Sequence, residues 1–74
     1  MKTEESIKRE LKRITDETFG IDFSFVEPTL NRNVYYIYTE VWSMTTEQFD
    51  KLRTKIAITA VSVDGFKIML TVKV

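Results

Sequence analysis

Carboxylates are the groups with which this 74-residue chain could do chemistry, because it contains neither cysteine nor histidine. Glu4 with Glu5, and Asp16 with Glu17, are adjacent pairs. Paired carboxylates can share a proton or hold a cation. Both pairs sit in a stretch dense in Lys and Arg, so a solvated, salt-bridged helix face is the stronger reading. Asp22 and Glu40 form a third pair, expected to lie opposite each other on the outer face of a sheet. Carboxylates that close would raise one pKa, but such a pair at a wet edge usually does neither acid-base work nor cation binding. The missing histidine removes the commonest general base and metal ligand. The missing cysteine excludes disulfides, zinc-thiolate sites and thiol chemistry. No nucleophile elbow, P-loop, EF-hand or metal-ligand spacing occurs. The chain is therefore expected not to be an enzyme and to carry no cofactor and no metal.

Recognition chemistry is better represented. The stretch VYYIYTEVW, Val34 to Trp42, holds all three tyrosines and the only tryptophan. As a strand it places aromatics on both faces, and only one face can enter a core. Eleven basic residues balance eleven acidic ones, so no long-range field attracts nucleic acid or an acidic membrane. Lys51, Arg53 and Lys55 make one helix locally basic, but only Lys51 and Lys55 share a face, which favours a solubilising surface.

The elements that must position these residues follow from periodicity. Thr3 to Phe19 is a helix with Ile7, Leu11, Ile14 and Thr18 on one stripe. Thr3 is its N-cap, Glu4 and Glu5 favour its positive end, and Gly20 is placed to stop it. Ile21 to Glu27 alternates as a half-buried strand with Ile21, Phe23 and Phe25 inward. Pro28 to Asn33 is a loop. A five-residue turn, Thr29 to Asn33, pairs Phe25 with Ile37 and keeps one apolar face across both strands. In the second strand Tyr35, Ile37 and Val41 point inward, and Val34, Tyr36, Tyr38 and Trp42 outward.

Thr45 with Gln48 forms a capping box, with Met44 and Phe49 as a hydrophobic staple. Phe49, Leu52 and Ile56 are the buried stripe of that second helix. Asp64-Gly65 marks a hairpin pairing Val63 with Phe66, Val61 with Ile68, Thr59 with Leu70 and Ala57 with Val72. Its other face pairs Ser62 with Lys67, Ala60 with Met69 and Ile58 with Thr71. The alternative is a second helix running on through Ala60, leaving one C-terminal strand and the order αββαβ.

The order αββαββ predicts a single small α+β domain, a two-layer sandwich with both helices on one face of an antiparallel four-stranded sheet. It is a circular permutation of the ferredoxin-like βαββαβ order, with strand order 3-4-2-1 and the second and fourth strands central. The outer face would carry Val34, Tyr36, Tyr38, Trp42 and Met69, flanked by Lys67 and Lys73. Such a face is expected to bind protein, either a second copy or another chain. Single-stranded nucleic acid is the alternative ligand, since Tyr36 and Tyr38 have the spacing of a base-stacking strand. DGFKIMLT shares only its Gly-Phe pair with the longer RNA-recognition-motif signature, and the basic footprint is missing. The start, MKTEESIKRELKR, is too charged for a signal peptide. No apolar run has transmembrane length. No membrane association is expected, and the cytoplasm is the expected location.

Overall fold

The computed structural model describes residues 3–65 and 67–74, except for the side chain of Asp64. The first helix, α1, spans Glu4–Phe19. The Thr3 side chain accepts the Ser6 amide at 3.2 Å, and Gly20 ends the helix at φ 68°, a conformation that suits a residue without Cβ. Its buried side is Leu11, Ile14 and Thr15, with Ile7 and Thr18 half-buried. Thr15 takes the fully buried place on the stripe, its hydroxyl satisfied by donating back to the Leu11 carbonyl at 2.8 Å; half-buried Thr18 makes the same bond to the Ile14 carbonyl.

Four strands follow in two pairs: β1 (Phe25–Pro28), β2 (Val34–Tyr38), β3 (Ala57–Asp64) and β4 (Lys67–Lys73). Between the pairs runs α2, Thr46–Lys55, started by the expected Thr45–Gln48 capping box. Ile56 already has extended backbone, φ −137° and ψ 150°, so the helix stops there and the longer-helix alternative does not hold. The antiparallel sheet has the order β1-β2-β4-β3, with β2 and β4 central as expected. The core lies on its helix side. Ile37, Leu52, Leu70 and Val72 are fully buried there beside Leu11, Ile14, Val26 and Tyr35. Each such aliphatic side chain contributes about 1.5–3 kcal/mol by leaving water.

Two registers differ from expectation. Phe25 pairs with Tyr38, and it is Val26 that faces Ile37. The β1–β2 connection is tighter by one residue than the expected loop. Thr29 and Val34 bond at 3.1 Å, and Asn33 supplies a left-handed turn at φ 69°. A one-residue change exchanges the two faces of a strand. Ser24 and Val26 therefore go inward, while Phe23 and Phe25 are exposed.

In the second hairpin Val63 pairs with Ile68, Val61 with Leu70 and Ser62 with Met69, two residues away from the expected register. The expected Val63–Phe66 rung falls on Phe66, which lies outside the described residues. A bulge between Ile58 and Ala60 then swaps faces, so Ile58 opposes Val72 and packs on the core while Ala57 is exposed. The expected inward Ala57 and outward Ile58 are thus reversed.

Candidate interaction face on the open side of the sheet

The outer face is assembled by alternation. Every residue next to a buried strand residue points away from the helices. The register lines these residues up in rows. One row runs Phe25, Tyr38, Met69, Ser62, and the next Glu27, Tyr36, Thr71, Ala60. A third holds Val34, Lys73 and Ala57. Among the described elements both helices pack on the opposite side.

Val34, Tyr36, Tyr38 and Met69 are half-buried on this face, and Lys67 is exposed at its end. Phe25 joins them at 59% exposure. The Phe25 and Tyr38 rings are 6.2 Å apart and tilted by 38°; Tyr36 meets Tyr38 edge-on at 6.4 Å. These spacings are those of favourable aromatic pairs. The cluster is braced internally and still presents ring surface outward.

Trp42 does not continue the face by strand alternation. β2 ends at Tyr38, and Glu40 turns at φ 60°. The chain rejoins β4 through the Ile68 amide, which donates to the Val41 carbonyl at 2.7 Å, so Glu40 bulges out of the ladder. Trp42 lies beyond that bulge, 83% exposed. Thr39, buried, takes the inward place next to Ile37 and donates its hydroxyl to the Ile68 carbonyl at 3.0 Å.

Three of the four paired carboxylates of α1 enter separate ion pairs. Glu5 meets Lys8 at 3.7 Å, Asp16 meets Lys12 at 2.6 Å and Glu17 meets Arg13 at 3.3 Å. Asp22 and Glu40 do not face each other: Asp22 precedes β1, and Glu40 pairs with Lys67. On α2, Lys51 reaches Glu47 at 4.0 Å, and Arg53 reaches Asp50 at 3.6 Å while covering the Phe49 ring at 5.6 Å. Among the described residues no group of three or more acidic side chains is arranged to hold a metal, and no helix is long and apolar enough to cross a membrane.

Sequence reasoning missed Phe25 and Glu27 as members of the face. The signal that could have found them is turn chemistry, since Asn tolerates the left-handed conformation that a tighter β1–β2 connection needs. No protein-family model, curated protein or solved structure matches the chain.

Proposed function

We propose that this chain is a non-enzymatic interaction module that binds protein, a second copy or another chain, through the outer face of its sheet. The observation that carries the proposal is the uncovered cluster of Phe25, Tyr36, Tyr38 and Met69 on three adjacent strands. Aromatic residues and methionine are enriched in interface cores, and a contiguous apolar patch rimmed by polar residues marks a contact site. The cysteine-free composition suits action in a reducing compartment such as the cytoplasm.

The same face is poorly equipped for nucleic acid. Lys67 is tied to Glu40, and Glu27 places a carboxylate next to Tyr36. A phosphate backbone needs cations that track it.

The test is sedimentation equilibrium over a wide concentration range for the native chain and for Tyr36→Lys, with circular dichroism to confirm that the variant folds. Self-association lost in the folded variant supports the face. Association of the same strength in both chains rules the face out. A single-stranded oligonucleotide titrated against Trp42 fluorescence should give no saturable change; a saturable quench would replace protein by nucleic acid as the ligand.

A further inference from the structure

We infer that the groove between α1 and the free edge of β1 is a phosphate-binding site, separate from the open sheet face and independent of what binds there.

α1 supplies the cations. Lys8, Arg9 and Lys12 lie three and four residues apart around Lys12, so they share one stripe of the helix. With Ser24 and Val26 opposite, they line a groove of about 240 Å³. Glu5 is the one carboxylate on its wall, so the groove is locally positive in a chain whose charges balance overall. Glu5 reaches Lys8 only at 3.7 Å, from an exposed position. Lys12 bonds Asp16 and the Asp22 carbonyl, which leaves one of its three donor hydrogens. Arg9 makes no ion pair among the described residues.

The β1 side supplies neutral donors. Ser24 is 4% exposed, and its hydroxyl has no hydrogen-bond partner among the described residues. The neighbouring Asp16 carboxylate is bonded instead by Lys12 and by the Ser24 amide. A buried hydroxyl without a partner is costly, and the groove it lines is where a partner can sit. The second donor is the Val26 amide. The Thr29 amide bonds the Val34 carbonyl at 3.1 Å, so the rung that follows Pro28 and Tyr35 is a bonded one. Antiparallel rungs alternate between bonded and non-bonded. Val26 and Pro28 therefore turn their backbone groups away from β2, toward the open edge. Proline is tolerated at such a position because no ladder bond needs its amide. The exposed edge of a sheet is a recurrent wall of anion-binding concavities.

The donors thus converge from two sides: a hydroxyl and an amide from the strand, and ammonium and guanidinium groups from the helix. A phosphate group presents acceptor oxygens in several directions and can meet both sides at once, and Arg matches it with a two-bond fork. The groove is smaller than the roughly 300 Å³ at which sites for drug-sized ligands begin. The ligand is therefore free phosphate or a small phosphate ester. Because the cations are partly exposed, a dissociation constant of roughly 1 mM is expected.

The experiment is a titration of the native chain with inorganic phosphate, followed by amide-resolved NMR, with ionic strength held constant by chloride. The Ser24 and Val26 amides should shift and saturate. Arg9→Gln should weaken binding by roughly tenfold and Ser24→Ala by roughly three- to tenfold, the scale of one charge-assisted and one neutral hydrogen bond. Ser24→Ala keeps the backbone amide that bonds Asp16, and the spectrum of each variant shows whether it folds. Glycerol phosphate binding more tightly than inorganic phosphate supports the site with an ester as ligand; equal binding supports it with free phosphate. Shifts that chloride alone reproduces, that never saturate, or that both folded variants retain at native strength overturn the site. Acetate binding as well as phosphate overturns the choice of phosphate.

Discussion

Asp16 joins two elements through one carboxylate. It accepts from the Lys12 ammonium at 2.6 Å and from the Ser24 amide at 3.2 Å, and Lys12 also donates to the Asp22 carbonyl at 2.9 Å. The last turns of α1 thus grip the chain as it enters β1 and hold Ser24 inward. Burial raises the pKa of this carboxyl, but the Lys12 ammonium and the Ser24 donor outweigh it, so the group is held below its ordinary value. The folded state therefore releases this proton more readily than the unfolded chain. The stabilisation is present above the ordinary carboxylate range, about pH 4, and is lost as pH falls through the lower folded-state value. Asp16→Asn should cost about 1–3 kcal/mol at neutral pH, the usual worth of a charge-assisted hydrogen bond. Urea midpoints measured from neutral pH into acid should show the native and variant chains converging. Parallel curves would mean that Asp16 does not carry this part of the acid response.

At the scale of elements, the β1–β2 connection decides which side chains reach the outer face. Asn33 holds φ 69°, and the Thr29 hydroxyl bonds the carbonyls of Asn31 and Val34 at 3.0 and 2.9 Å. Asn33→Gly should leave stability unchanged or slightly raised. Asn33→Val should cost about 1–2 kcal/mol, because a β-branched residue is strained in the left-handed region. Equal urea midpoints for the two variants would show that the turn does not need this conformation. The elements that carry their own signals were legible in the sequence: the caps Thr3 and Thr45, the stop at Gly20, the element order and the central place of β2 and β4. Tyr36, Tyr38 and Met69 could be placed on the open side from alternation alone. Phe25 could not, because three apolar residues at 21, 23 and 25 suggested the opposite phase and nothing local reveals the Asp16–Ser24 grip. The bulge near Thr59 was hidden for a similar reason: a run of small and β-branched residues fits either face. Trp42 depended on Glu40 taking a positive φ, for which its residue type gives no warning.

At the scale of the whole molecule, the sheet has unequal edges. β1 is four residues long and ends in Pro28, which has no amide hydrogen to donate, so it offers little to another strand. β3 is eight residues long, and its bulge is the feature that interrupts its pairing. The central strand β4 pairs with both β2 and β3, yet it is the last of the four in chain order. During synthesis, then, β3 has no neighbour to join until residues 67–73 are made. The β1–β2 hairpin meanwhile has α1 to pack on but lacks the central strand that joins it to β3. The four-stranded sheet consequently cannot close until β4 is available to join β2 to β3. A chain ending at Gly65 should show little fixed structure by circular dichroism. Native-like cooperative melting of that shortened chain would show that assembly does not wait for β4.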